Sequence, residues 1–201
     1  MKRRPFDTPK ERCPVPVEPP TNAPPEATHR APSIVLVATG DGKGKTTAAM
    51  GTVLRALGRG WAVCVVQFVK SSKWPSGEAR LLSDLGAEWH TLGDGFSWDA
   101  DDLERSAEIA RSAWAVAKDA LLSGRFGLVV LDEVTYPVNW GWIDGADVAR
   151  TISGRPAKVN VFLTGRDAPA SLVEVADTVT EMHNVKHAYE AGIRAAKGID
   201  F

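Results

Sequence analysis

Ser33-Ile34-Val35-Leu36-Val37-Ala38-Thr39-Gly40-Asp41-Gly42-Lys43-Gly44-Lys45-Thr46-Thr47-Ala48-Ala49-Met50 is the stretch that decides the fold. Ser33 to Ala38 is an apolar run that reads as a buried strand, and Ala48 to Leu57 reads as a helix. Between them lies a glycine-rich turn ending in Gly44-Lys45-Thr46. Strand, glycine turn, Gly-Lys-Thr and helix are the context of a phosphate-binding loop. Glycines let backbone N–H groups converge on an anion, and a helix N-terminus adds partial positive charge. The candidate nucleotide contacts are therefore Thr39, Gly40, Asp41, Gly42, Lys43, Gly44, Lys45, Thr46 and Thr47. Lys45 meets phosphate charge, and the Thr46 hydroxyl is a ligand for Mg²⁺ (or Mn²⁺). One departure stands out: the general pattern has glycine where Thr39 stands, and Gly40 and Gly42 supply the flexibility instead.

Outward from this loop the chain alternates. Strands are expected at Ala62–Val69, Glu88–Leu92, Leu128–Asp132, Val159–Leu163 and Asp177–Glu181. Helices are expected at Gly77–Leu85, Asp101–Leu122, Gly145–Ser153 and before Asp177. On the long helix Leu103, Ile109, Ala113, Val116, Ala120 and Leu121 fall near helical spacing. Continuous apolar strands between helices imply an α/β, P-loop NTPase-like fold, with a mostly parallel sheet covered on both faces. Ligands in such folds sit at the carboxyl ends of the strands. Residues 1–32 differ, holding nine of the thirteen prolines and almost no large apolar residues. Such a stretch is expected to be a disordered tail, leaving 33–201 as a single nucleotide-binding domain.

Composition narrows the class further. A net charge of −1, with acids interspersed among bases, gives no reason to expect nucleic acid or an anionic membrane as partner. Cys13 and Cys64 stand far apart, which fits a reducing cytoplasm better than a disulfide framework. No apolar run has the length of a membrane span. The histidines, His29, His90, His183 and His187, show no metal-ligand spacing with a third partner.

Two further features carry chemistry. Leu128-Val129-Val130-Leu131 ends in Asp132-Glu133, a Walker-B-like element whose carboxylates can hold a cation beside a triphosphate. The candidate metal ligands are thus Thr46, Asp132 and Glu133. Seven tryptophans are many for 201 residues. Trp61 and Trp114 read as packing residues. Trp74, Trp98, Trp140 and Trp142 fall in expected loops, where a ligand or an interface is needed to cover them. Gly95-Phe96-Ser97-Trp98 in an extended loop points two rings the same way, which makes either one wall of a site or a small apolar cluster under the loop.

Taken together these residues resemble the P-loop-type ATP:corrinoid (cob(I)alamin) adenosyltransferases. That family also carries threonine at the position of Thr39. The likeness runs in order through Arg55-Ala56-Leu57-Gly58, Val66-Gln67-Phe68-Val69-Lys70, Gly95-Phe96-Ser97-Trp98 and Leu131-Asp132-Glu133. It continues through Leu163-Thr164-Gly165-Arg166 and Val185-Lys186-His187 to Lys197-Gly198-Ile199, covering 33–201.

The resemblance implies a reaction in which Co(I) of a corrinoid attacks the 5′ carbon of ATP and triphosphate leaves. It assigns Lys45, Phe96 and Trp98 to catalysis. The two rings would displace the lower axial ligand of cobalt, giving a four-coordinate Co(II) that is easier to reduce. It adds Arg55, Glu133 and Arg166 to the nucleotide contacts, with Gln67 and Lys70 facing the same crevice. It also implies a corrinoid substrate (cobalamin, cobinamide or cobyrinate diamide), an electron donor such as a flavoprotein, and a homodimer. Two departures stand against the family pattern: residues 1–32 do not match its N-terminal segment, and Ala188 replaces a proline. The alternative is a RecA-like ATPase coupling hydrolysis to a partner, which the sheet pattern fits equally well.

Overall fold

The computed structural model describes residues 30–71, 76–93 and 100–200. All but the last three residues of the expected tail therefore lie outside the description, as do Trp74, Phe96 and Trp98. From Ala31 onward the chain forms one compact unit.

Its frame is a six-stranded sheet: β1 (Val35–Thr39), β2 (Val63–Ser71), β3 (Glu88–Gly93), β4 (Leu128–Asp132), β5 (Asn160–Thr164) and β6 (Thr178–Glu181). The order is β3-β2-β4-β5-β1-β6, and every pairing is parallel. Alternation along the central strands feeds two cores. Val63, Val65, Leu128, Val130 and Phe162 pack on one face with Ala49 and Val53 of α1 (Lys45–Gly58) and Leu82 of α2 (Gly77–Asp84). Cys64, Val66, Val129, Leu131, Val161 and Leu163 pack on the other face. Their partners there come from α3 (Ala100–Leu122), α5 (Gly145–Ser153) and α6 (Ala170–Glu174). Each fully buried leucine, such as Leu131 or Leu163, contributes about 1.5–3 kcal/mol through removal from water. Among the described residues no helix is long and apolar enough to cross a membrane.

The α/β class and the two-faced parallel sheet agree with the sequence reading, and several details differ. Helix α1 starts at Lys45 rather than Ala48, because Lys45-Thr46-Thr47 is itself the first helical turn. A short helix, α4 (Thr135–Asn139), follows β4 where a loop was expected. Trp140, the residue that caps it, and Trp142, which packs against the core, lie in the turn between α4 and α5, as expected. Trp114 is buried as expected. Trp61 is 46% exposed and only lays its ring against Gly127. Leu103 is also exposed; Ala113, Ala120 and Leu121 are buried as expected, and Ala107, Ala110, Trp114 and Ala117 complete the buried stripe of α3.

Candidate active site

The loop after β1 is built by close approach. A Cβ on Gly40, whose φ is 89°, would lie 2.5 Å from the Met182 carbonyl, and one on Gly42 would lie 2.7 Å from it. Only glycine permits that contact. The Gly42 N–H donates to the Met182 carbonyl at 2.6 Å, and the Met182 N–H donates to the Thr39 carbonyl at 2.8 Å. The end of β6 thereby holds the loop from behind. Thr39 earns its place where the general pattern has glycine: its hydroxyl accepts from the Ala168 N–H at 3.0 Å, tying the loop to the turn after β5.

Helix α1 begins within this arch at Gly44, and no side chain caps its end. The first-turn N–H groups of an uncapped helix are available to an anion. The Lys45 ammonium curls into the same arch and donates to the carbonyls of Gly40 at 2.6 Å and Gly42 at 2.7 Å. Burial lowers its pKa, and the nearby Arg166 lowers it further. Lys43 points outward to an ion pair with Asp200 at 2.5 Å.

Opposite the loop stands Asp132, fully buried at the end of β4. Strand β5 separates β4 from β1, and its terminal Thr164 fills the gap. Asp132 Oδ1 accepts from the Thr46 hydroxyl at 2.9 Å and the Thr164 hydroxyl at 2.7 Å. Oδ2 accepts from Gln67 Nε2 at 2.9 Å and faces Lys70 Nζ at 3.3 Å. Gln67 is held in turn, since its Oε1 accepts from Trp89 Nε1 at 3.3 Å and the Thr91 hydroxyl at 3.2 Å. Such a network fixes both carboxylate oxygens in one orientation.

Glu133 follows with φ 63°, an unusual conformation for a residue with a side chain. Its N–H donates to the Thr164 hydroxyl at 2.9 Å. Burial, and secondly the charge of Asp132, push its carboxyl up to about 7. Lys70, Lys45 and Arg166 pull the other way without prevailing.

The turn after β5 forms the remaining wall. The Thr135 hydroxyl donates to the Arg166 carbonyl at 2.6 Å, and Asn139 Nδ2 donates to that of Asp167 at 2.9 Å. Gly165, φ 142°, fits so closely that a Cβ would stand 1.9 Å from Thr135 Oγ1. Arg166 itself faces Asp41 at 3.7 Å, an exposed pair of small energetic weight. These two line an open cleft of about 500 Å³ with Asn184, His187, Tyr189 and Glu190.

The structure thus gathers residues 39–47, Asp132, Glu133 and Arg166, with Gln67 and Lys70 beside them. Arg55 is not gathered; it is exposed in the last turn of α1, about 15 Å along the axis from Lys45. Phe96 and Trp98 lie outside the described residues. Thr164, Thr39's link to Ala168 and the Met182 brace were not singled out from sequence as functional. The signal for Thr164 is a hydroxyl directly after the buried apolar run Val161-Phe162-Leu163.

A glycine arch on a helix N-terminus, facing a carboxylate two strands away in an all-parallel sheet, defines a P-loop nucleotide-binding protein. Within that class the assignment is specific: the chain belongs to the ATP:corrinoid adenosyltransferase family BtuR/CobO/CobP, whose sequence model matches residues 32–201. A corrinoid adenosyltransferase of Escherichia coli is 43% identical over 168 residues, covering 84% of this chain and 85% of that one. One of Pseudomonas aeruginosa is 44% identical over 170 residues, covering 84% and 83%. Corrinoid adenosyltransferase CobA of Salmonella typhimurium is 41% identical over 168 residues, covering 84% and 85%. The chain is a transferase that binds ATP and moves its adenosyl group to the Co(I) of a corrinoid. The RecA-like alternative finds no support in these likenesses.

Proposed function

We propose that residues 39–47 cradle the triphosphate of ATP as the leaving group of this reaction. One observation carries the reading: Thr46 Oγ1 meets Asp132 Oδ1 at 2.9 Å beside the Lys45 ammonium, at the mouth of the glycine arch. A P-loop ordinarily stabilises one transferring phosphoryl group. Here Co(I) supplies an electron pair to C5′, the C5′–O bond breaks, and its electrons leave on the triphosphate. Lys45 and the N–H groups of the arch and of the first turn of α1 meet that growing charge. No proton has to move, so the site's work is electrostatic and positional.

The donor set fits Mg²⁺ or Mn²⁺, because Thr46 Oγ1 and Asp132 Oδ1 are hard oxygens at one point and Glu133 is adjacent. Such a cation, when bound, offsets charge on the phosphate oxygens. Thr164 and Gln67 hold Asp132 in the orientation this needs. Arg166 and Asp41 border the cleft through which the nucleotide's other end reaches solvent. Arg55 would contact nucleotide only after movement. Phe96 and Trp98, by resemblance, form the apolar wall that keeps water and base from the lower face of cobalt.

The resemblance also supports a homodimer in the cytoplasm, a flavoprotein-type electron donor, and cobalamin, cobinamide or cobyrinate diamide as acceptor. Composition supports residues 1–32 as a tail outside the catalytic domain. The deciding experiment is an anaerobic assay with ATP, Mg²⁺ and chemically reduced corrinoid. A light-sensitive adenosylated product with equimolar triphosphate is expected. Steady phosphate release without corrinoid would overturn the leaving-group role.

A further inference from the structure

A second cluster of donors lies on the other face of the sheet. Along the chain the histidines show no ligand spacing, but parallel pairing creates one: Cys64 of β2 is the register partner of Glu88 on β3, and His90 lies two residues further along the same face. One ligand atom from each, thiol, carboxylate and imidazole, falls within 4.8 Å of the other two. Cys64 belongs to the core under α3, whereas Asp132 and Gln67 face α1. The cluster also sits at the amino ends of its strands, away from the phosphate arch. It is separate from the transferase chemistry.

From this geometry we infer that Cys64, Glu88 and His90 form a binding site for a thiophilic divalent cation of the Zn²⁺ type. A soft sulfur with one imidazole nitrogen and one carboxylate oxygen is a three-protein-ligand set for such an ion, with the fourth position left to water. Glu88 Oε1 and His90 Nε2 already stand 3.0 Å apart, near the roughly 3.3 Å that two light ligand atoms keep around tetrahedral zinc. The sulfur completes the set from below, fully buried, while Glu88 and His90 keep enough exposure to rotate onto an ion. Glu88 Oε2 is turned away towards Arg125, at 3.5 Å, and Arg125 is tied to Asp119 at 3.2 Å. That outer pair orients the carboxylate so that Oε1, which now meets His90 Nε2 directly, is the atom a metal would take by coming between the two. Binding replaces the thiol proton, which goes to solvent, and uses the lone pair of His90 Nε2. Without a cation the thiol is inert, since burial pushes it up to about 12. Bound metal would pin edge strand β3 to β2.

The test uses the full chain, freed of metal and titrated with Co²⁺ as a spectroscopic stand-in and with Zn²⁺ by competition. One equivalent of Co²⁺ should give a sulfur-to-metal charge-transfer band that Zn²⁺ abolishes. Cys13→Ser should keep the band and Cys64→Ala should lose it. His90→Ala, at a half-exposed position that leaves the core intact, should weaken binding at least about a hundredfold, beyond the loss of an outer-shell partner. The oxygen ligands around Thr46 cannot produce such a band, and adenosyl transfer should persist in His90→Ala. Absence of the band, or a band that survives Cys64→Ala or follows Cys13, overturns the inference.

Discussion

Glu133 gives a sharp test of the site's electrostatics. Its carboxyl is raised from 4.5 to about 7, first by burial and then by Asp132. Below pH 4.5 the group is protonated in folded and unfolded chains alike and contributes no pH dependence. Between pH 4.5 and 7 the unfolded chain loses this proton while the folded one keeps it, so stability falls as pH rises. Above 7 the penalty is complete. The rise from 4.5 to about 7, at about 1.36 kcal/mol for each tenfold change in proton affinity, sets a ceiling of about 3.4 kcal/mol. Partial exposure of the side chain brings the expectation to about 1.5–3 kcal/mol. Glu133→Gln keeps the shape and is always neutral, so it removes the penalty. In EDTA, without nucleotide, urea unfolding at pH 8 should show the variant more stable by that amount. The melting temperature should rise by roughly 4 to 10 °C. At pH 5 the two proteins should agree within about 1 kcal/mol. A gap that is absent at pH 8, reversed, or equal at both pH values would refute the argument, because the comparison isolates residue 133 from all other carboxylates.

Other perturbations probe the remaining walls. Lys45→Ala should abolish measurable ATP binding by calorimetry with the fold intact, and unchanged affinity would remove Lys45 from the triphosphate site. Gly165→Ala forces a Cβ to 1.9 Å from Thr135 Oγ1, so urea unfolding should show a loss of about 3 kcal/mol or more. Thr135→Ala in the same chain should recover part of that loss, whereas strict additivity would contradict the close approach. Phe96→Ala with Trp98→Ala should slow turnover from Co(II) far more than from pre-reduced Co(I), and equal losses would refute ligand displacement. Deleting residues 1–30 should leave the melting temperature nearly unchanged; a fall of several degrees would show that they pack on the domain.

What was legible in the sequence was whatever local spacing encodes. The glycine arch, the apolar strands and Asp132 at a strand end follow from short-range pattern, so the α/β class and most elements could be read directly. Helix α4 could not, because Tyr136-Pro137-Val138-Asn139 carries a proline and reads as a loop. Pro137 is tolerated because it falls in the first turn, and the segment is pinned from outside by Thr135 and Asn139 on the 166–167 backbone. Tyr136 stacked on Trp140 at 5.6 Å adds to this. Strand order was hidden as well, and with it the insertion of Thr164 between loop and carboxylate. The bonds from Gln67 to Asp132 and from Trp89 to Gln67 likewise depend on which strands become neighbours. Register partners such as Cys64 and Glu88 are invisible until the sheet is assembled.

The place of β1 in the sheet has a consequence for the chain while it is being made. Both of its neighbours, β5 and β6, emerge from the ribosome last among the strands, and Met182, which braces the arch, follows Thr39 by about 140 residues. At ordinary elongation rates that delay is roughly 7 to 30 s. Until β5 is made, late in that interval, the Val35–Ala38 segment has neither of the strands that flank it. A ribosome stalled before residue 160 should therefore carry a nascent chain unable to retain ATP. Holding chaperones have that same interval in which to bind the strand that leads into the glycine arch.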